Sequence, residues 1–292
     1  MRALPASAQE HEAAGRYVAV RGQRVFVREA GAGAPVLLVH GVPASSFLYR
    51  KVIPRLAARG LRPVAFDFPG LGLSDKPHGA AYDWHALAGW MDAIVDELGI
   101  APVHLVVHDI GGPIGFEWAT RHPEKLRSLT ILNTLLDVAV FRRPFPMWLY
   151  VVPAFRHVAV RAQSARLLAP VMRRIGLKHA EAMTLDEIAS YPALLRHNDG
   201  LRPFLDVMAG FVLTAEHGDF LREGLKAHPA PIQLVWREHE VAIPRHQLEH
   251  IRTHLPLRHS HFVDARHFLQ QDAAGPLAGH VADFCAEVDA RS

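Results

Sequence analysis

The sequence from residue 35 to residue 134 alternates strictly between short apolar runs and segments with helical spacing. The apolar runs are of the kind found in strands that are buried on both faces. The predicted strands are "PVLLVHG" (35–41), "RPVAFDFPG" (62–70), "VHLVVHD" (103–109) and "SLTILNT" (128–134). The predicted helices are 45–60, 83–99 and 112–126. This alternation requires parallel strands joined by crossover helices, so we predict an α/β fold.

Further strands flank this region on both sides. Two alternating runs before it read as a β-hairpin, and two strands with two helices follow much later in the chain. These segments are the strands 16–20, 23–30, 231–240 and 259–267 and the helices 244–255 and 273–288. The residues between, 135–226, are helical segments punctuated by Arg and Pro. We therefore predict a core of residues 1–134 and 227–292 with a helical cap, 135–226, inserted into it.

Composition limits the classes of protein to consider. The 292 residues are 50% hydrophobic, which is enough for one large core with an insertion. The net charge is +3 without a dense basic block, so we expect no nucleic-acid partner. Cys285 is the only cysteine, which fits a reducing compartment. The N-terminal residues have no apolar stretch typical of a secretory signal, and the longest apolar run, 147–155, is far shorter than the roughly 20 residues of a membrane helix. We expect a cytoplasmic monomer or homodimer without a membrane partner.

Three residues with catalytic side chains follow three of the predicted strands. Asp109 ends one strand and is followed by two glycines and a helix, the pattern of a sharp turn that lifts a side chain above the sheet edge. Glu240 and His267 end the last two predicted strands. In a parallel sheet, chemistry takes place at the carboxyl ends of the strands. The order Asp109, Glu240, His267 is the order nucleophile, acid, base.

An early turn, "HGVP" (40–43), follows the first parallel strand and is expected at the same sheet edge. Its backbone can provide an N–H group for an oxyanion. The second such group is expected directly after the nucleophile. We therefore assign the oxyanion hole to the backbone N–H groups of Val42 and Ile110.

Four motifs in this order resemble the haloalkane dehalogenase branch of the α/β-hydrolase superfamily: "HGVPASSFLYRKVIPRL", "FDFPGLGLSDKP", "HDIGGP" and "RHFLQQD". The resemblance implies an eight-stranded, mostly parallel sheet with helices on both faces. It also implies a two-step reaction without metal or organic cofactor. Asp109 attacks a substrate carbon and expels the leaving group, and His267, oriented by Glu240, activates the water that hydrolyses the ester.

The sequence departs from that family at the residue after the nucleophile. The family has a Trp there, whose indole N–H holds the departing halide, and this chain has Ile110. Trp148 and Asn133 are the candidates to supply the missing donor. The alternative is an epoxide hydrolase, in which phenols of the cap, here Tyr150 and Tyr191, protonate the epoxide oxygen. A second alternative is a catalytically silent binding protein.

Other assignments remain open at this stage. Glu238 and Asp137 are alternatives to Glu240 as the triad acid. We expect a small apolar substrate, because the cap and the sheet edge carry candidate apolar walls for a pocket. These are Phe68, Phe141, Phe145, Phe204, Met208 and Phe211, together with Trp148, Tyr150 and Tyr191. The histidines 246, 250 and 254 share one helix face, which we interpret as a solvated face and not as a metal site.

Overall fold

A computed structural model describes residues 3–162, 164–237 and 243–291. Its centre is one sheet of eight strands in the order β1-β2-β4-β3-β5-β6-β7-β8. The first two strands form an antiparallel hairpin, β2 pairs antiparallel with β4, and all other pairs are parallel. The strands are β1 (Arg16–Val20), β2 (Gln23–Glu29), β3 (Pro35–Val39), β4 (Arg62–Phe66), β5 (Val103–Asp109), β6 (Leu126–Thr134), β7 (Ile232–Arg237) and β8 (Leu257–Val263). The predicted eight-stranded, mostly parallel sheet is confirmed.

Helices cover both faces of the sheet, because alternate residues of each strand enter different apolar cores. In β3, Leu37 and Val39 belong to the core on one face of the sheet, whereas Val36 and Leu38 belong to the core on the other face. The helices of the two layers are α1 (Ala6–Ala13), α2 (Ile53–Ala57), α3 (Trp84–Leu98) and α4 (Gly111–Arg121), and later in the chain α11 (Arg245–His254), α12 (Leu269–Asp272) and α13 (Ala274–Asp289).

The segment 45–60 differs from its predicted helix. It forms a 3₁₀ turn, Ser46–Tyr49, followed by the short α2, whose first turn holds Pro54. Proline lacks the N–H that would continue a helix from the preceding turn, so the segment divides there. Several strands also end earlier than predicted, because apolar residues beyond the last ladder hydrogen bond belong to the loops of the sheet edge.

Helices also fill the chain between β6 and β7, and its described part contains no strand. These are α5 (Phe145–Trp148), α6 (Arg156–Ala162), α7 (Ala165–Val171), α8 (Leu185–Arg196), α9 (Leu201–Ala209) and α10 (Ala215–Ala227). A π-helical turn, Met172–Gly176, continues α7. The last of them, α10, packs on α4, with Gly224 directly against Thr120. By its contacts α10 therefore lies with the core, although the predicted cap extended to residue 226. None of the described helices is both long enough and apolar enough to cross a membrane.

Candidate active site

Asp109 is the last residue of β5 and adopts the left-handed backbone conformation, with φ of +55°. Asp tolerates this conformation better than most residues, and it turns the chain directly into α4. The turn is tightly packed: a side chain on Gly111 would meet the carbonyl groups of β3, and one on Gly112 would overlap Thr134. The Thr134 hydroxyl donates a hydrogen bond to the Asp109 carbonyl. The two glycines are therefore required for the turn that presents Asp109.

The Asp109 carboxylate faces the early turn after β3. The Val42 N–H donates to its Oδ1 over 2.9 Å, and the Ile110 N–H also donates to the carboxylate. Gly41 lies so close that any side chain there would overlap the carboxylate. Burial raises the pKa of Asp109 from 3.8 to about 6, and the two N–H groups only partly oppose this shift. Asp109 is therefore mainly ionised at neutral pH.

His267 follows β8 and faces Asp109. Its Nε2 lies 3.7 Å from Oδ2 of Asp109. Burial, together with the charges of His108 and Arg237, lowers the pKa of His267 well below 6.5. The imidazole is thus neutral at pH 7 and able to accept a proton. Its Nδ1 is buried and has no hydrogen-bond partner among residues 3–162, 164–237 and 243–291.

The acid that would orient His267 is not identified within the described part of the chain. Glu240, the predicted acid, and Glu238 both lie outside the described residues. Asp137 is described, and its Oδ2 lies 3.8 Å from Nδ1 of His250. The Asp137 carboxylate therefore points to α11. It makes no contact with His267 among the described residues.

Two buried side chains hold the backbone of His267. The Asn133 amide donates to the carbonyl groups of Arg266 and His267 over 3.3 and 3.2 Å. His108 Nε2 lies 2.9 Å from the same His267 carbonyl, so this nitrogen carries the proton and donates. The predicted use of the Asn133 amide for the leaving group is therefore wrong, because the amide already has two carbonyl partners. Sequence reasoning missed His108, although its place next to Asp109 was a signal.

An apolar cavity of about 280 Å³ lies above Asp109 and His267. Tyr150 and Tyr191 are the only other described lining residues with a polar side-chain group. Four apolar residues line the cavity as predicted from the sequence: Phe141, Phe204, Met208 and Phe211. The remaining described walls are Val42, Pro43, Ile110, Leu135, Pro144, Met147, Leu168, Val171, Met172, Ile175, Gly176, Ile243 and Phe268. This lining accepts an apolar substrate and offers it one carboxylate, one imidazole and two phenols.

Two of the predicted walls are wrong. Trp148 is 46% exposed and does not line the cavity, because the adjacent Met147 takes the inward position on α5. Phe68 is buried beneath the site, with its ring 5.3 Å from that of His40. The side chain of Phe145 lies outside what the structure describes.

Sequence reasoning missed the wall formed by α7 and the π-helical turn after it. Leu168, Val171, Met172 and Ile175 all line the cavity. Their spacing of three and four residues is that of one helix face, and this signal was present in the sequence. The sequence could not show that this face points to Asp109.

One cluster of described side chains has the spacing of metal ligands: His85, Glu117 and His217, whose ligand atoms all lie within 4.8 Å of one another. Glu117 is already paired with His85 at 2.8 Å and with Arg121 at 2.9 Å. None of the three lines the cavity. We interpret the cluster as an ion-pair network between α3, α4 and α10.

Comparisons with known proteins agree with this architecture. The family model described as alpha/beta hydrolase fold matches residues 34–174. A cis-3-alkyl-4-alkyloxetan-2-one decarboxylase of Shewanella oneidensis is 27% identical over 286 residues, which cover 94% of this chain and 88% of the relative. A haloalkane dehalogenase of Sphingobium indicum is 36% identical over 126 residues, which cover 41% of this chain and 42% of the relative.

Solved structures extend the likeness to nearly the whole chain. The structure of the epoxide hydrolase CorEH without ligand has a TM-score of 0.77 at 21% identity and covers 94% of this chain and 99% of its own. At this identity the match shows a shared fold. The sheet and the described cap helices are thus arranged as in that solved structure.

Proposed function

Since this chain is a hydrolase of the α/β-hydrolase fold with haloalkane dehalogenases among its relatives, we propose that it acts through an ester on Asp109. One observation carries the proposal. The Asp109 carboxylate forms the floor of an apolar cavity, with Oδ1 held by the Val42 N–H and Oδ2 beside His267. A carboxylate that is ionised at neutral pH can attack saturated carbon without a base, which a serine cannot do.

The reaction has two steps. In the first, an electron pair of Asp109 Oδ2 forms a bond to a saturated substrate carbon, and the bond from that carbon to the leaving group breaks. In the second, His267 takes a proton from water and the hydroxide adds to the carbonyl carbon of the Asp109 ester. The resulting oxyanion on Oδ1 receives hydrogen bonds from the N–H groups of Val42 and Ile110. Its collapse expels the product alkoxide, which takes the proton from His267, and the Asp109 carboxylic acid then releases the remaining proton of the water to solvent.

The cavity favours a leaving group that is an oxygen of a strained ring. Neither an indole nor an amide of the described residues lines it, so a departing halide would meet no such donor. Tyr150 and Tyr191 can donate a proton to an alkoxide, as opening of an epoxide requires. An oxetan-2-one, the substrate type in the name of the Shewanella oneidensis relative, would instead release a carboxylate, which needs no proton. We therefore propose an alkyl-substituted epoxide or oxetan-2-one as the substrate class.

Hydrolysis of a carbon–halogen bond is the second candidate. The match with the Sphingobium indicum dehalogenase favours it. It would share Asp109, His267 and both N–H groups, and would differ only in how the leaving group is stabilised.

Product analysis with three substrates of matched alkyl chain length, an epoxide, an oxetan-2-one and a primary bromide, separates the candidates. We expect turnover of a ring substrate, and for the epoxide a loss of about 100-fold in kcat when Tyr150 and Tyr191 are both replaced by Phe. The same double variant is the matched control with the bromide, because a halide needs no proton. Bromide turnover that exceeds both ring substrates would reject the ring-opening proposal. No product from any of the three would favour the silent binding protein.

A further inference from the structure

The cap segment 138–180 carries basic side chains without acidic ones. It contains no Asp or Glu, and it contains Lys178 and seven arginines, Arg142, Arg143, Arg156, Arg161, Arg166, Arg173 and Arg174. The whole chain has a formal charge of only +3, so the rest of it is net negative. The net negative charge of the rest therefore hides this basic segment in the net charge of the whole chain.

The seven arginines differ from Lys178 in their contacts. Lys178 pairs with Asp264, but none of the arginines forms an ion pair with a carboxylate in the part of the chain that the structure describes. Arg142 donates to carbonyl oxygens of its own turn, and Arg143 lies over the Phe211 ring. Arg161, Arg166, Arg173 and Arg174 are exposed to solvent. Their charge is therefore available to an anionic partner.

The same segment exposes large apolar side chains. Val158 is 70% exposed and Leu167 61%, and Phe155 and Val171 are also exposed. On α7, Leu167 and Val171 are four residues apart and so lie on one face, with Arg174 one turn further along. Exposed apolar side chains among unpaired arginines are typical of helices that lie in a membrane interface.

This surface adjoins the cavity. Leu168, Met172 and Ile175 of the same helical stretch line the cavity, and Val171 both lines it and is exposed to solvent. The wall of the cavity and the basic apolar surface are therefore two faces of one short element. A substrate that enters beside Val171 would come directly from whatever the surface contacts.

We propose that the cap surface formed by residues 138–180 docks on a bilayer of anionic lipids and takes apolar substrates from it. Charge complementarity selects the bilayer over a second copy of the chain, because a symmetric contact would oppose the arginines of one copy to those of the other. It also selects a bilayer over nucleic acid, since a phosphate polymer gives Phe155 and Leu167 no apolar contact. The surface lies in the interface, and none of the helices that the structure describes crosses the membrane.

Vesicle sedimentation tests the docking. The full chain should partition onto vesicles of equimolar phosphatidylcholine and phosphatidylglycerol, and little onto phosphatidylcholine alone. The triple variant Arg166→Gln, Arg173→Gln, Arg174→Gln should bind about 100-fold more weakly, from about fivefold per arginine. The matched control replaces three exposed arginines of the core, Arg59, Arg245 and Arg252, by Gln and should bind within about threefold of the wild type.

The contribution of the exposed apolar side chains is tested separately with the variant Phe155→Gln, Leu167→Gln. This variant changes none of the arginines and none of the residues that line the cavity. It should also lose binding to the anionic vesicles. Equal binding of the arginine variant and its control, or unchanged binding of the apolar variant, would overturn the proposal. Binding to poly-glutamate with the same dependence on Phe155 and Leu167, without vesicle binding, would assign the surface to an acidic protein and would also overturn it.

The delivery of substrate rests on the proposed function and has its own measurement. The arginine variant should raise KM for a long-chain substrate carried in anionic vesicles and leave KM for a water-soluble short-chain substrate unchanged. An equal rise for both substrates would overturn delivery from the bilayer. Vesicle binding without turnover of any substrate would contradict the proposed function alone and leave the docking standing.

Discussion

The Asp109 carboxylate has opposing effects on stability and reactivity. Burial raises its pKa to about 6, so the folded protein binds a proton there more tightly than the unfolded chain, whose Asp has a pKa near 3.8. The folded state is therefore penalised as pH rises from about 3.8 through about 6, and the full penalty is present above that range. The same burial leaves the ionised carboxylate poorly solvated, and this carboxylate faces the cavity. The burial that lowers the stability of the folded state at neutral pH therefore also makes Asp109 a better nucleophile.

Replacement of Asp109 by Asn should stabilise the protein at neutral pH. The amide keeps an acceptor for the Val42 N–H and removes the buried charge, so we expect a gain of about 2 to 3 kcal/mol in the free energy of unfolding. Denaturant unfolding at pH 8 and again near pH 4 measures this gain. The gain should disappear near pH 4, where the folded wild type holds Asp109 protonated. A gain that is equal at both pH values would contradict the raised pKa.

The rate should follow the ionisation of the same group. As pH falls through about 6, Asp109 takes up a proton and ceases to be a nucleophile, so kcat/KM should drop about tenfold per pH unit below that value. Burial lowers the pKa of His267 well below 6.5, so His267 is already neutral at pH 7. A pH profile of kcat/KM provides the measurement. A flat profile from about pH 5 to about pH 8 would show that another group limits the reaction.

At the scale of elements, the turns at the sheet edge position the site. The sequence predicted β5, the turn at Asp109 and the turn at Val42, because apolar runs and glycine pairs are local signals. It could not predict that Asn133 would hold the His267 loop, since that contact joins residues more than 130 positions apart. The exposure of Trp148 was also beyond reach, because helical spacing alone does not say which face meets the cavity. Local patterns thus give the elements, and packing decides their side-chain roles.

Replacement of Gly41 by Ala should disable the site without unfolding the core. The new methyl group would overlap the Asp109 carboxylate and displace it from the Val42 N–H, so we expect kcat/KM to fall by about 100-fold or more. Gly279→Ala in α13 is the matched control, because nothing lies near the added atom and alanine favours a helix by up to about 1 kcal/mol. Steady-state kinetics and thermal unfolding of both variants are compared. Full activity in Gly41→Ala would show that this turn does not hold the carboxylate.

At the scale of the whole molecule, the sheet with its helices supplies Asp109 and His267, and the chain between β6 and β7 supplies most of the apolar walls. Overall composition concealed a strong division of charge between these parts. Segment 138–180 contains Arg and Lys but no Asp or Glu, and the remainder of the chain is net negative. Nearly all trypsin sites of that segment are arginines of the surface beside the cavity. A substrate that fills the cavity should therefore change the rate at which trypsin cleaves the cap.

An ester trapped on Asp109 should slow the first tryptic cuts at Arg161, Arg166, Arg173 and Arg174. Its alkyl chain would pack against Leu168 and Met172 and hold α7 on the cavity, whereas cuts in the core would keep their rates. Peptide mapping of brief digests, with and without substrate, measures this in the His267→Gln variant. Protection spread evenly over the chain would contradict a local effect on the cap.

The central claim is that Asp109 forms the ester, and one measurement tests it most directly. The variant His267→Gln removes the base of the second step and leaves the first intact, so incubation with the epoxide, the oxetan-2-one or the bromide should accumulate a covalent adduct. Mass spectrometry of the intact protein should show the added mass, and peptide sequencing should place it on Asp109. The double variant His267→Gln, Asp109→Asn should show none. An adduct on another residue, or the absence of any adduct from a substrate that the wild type turns over, would contradict the account.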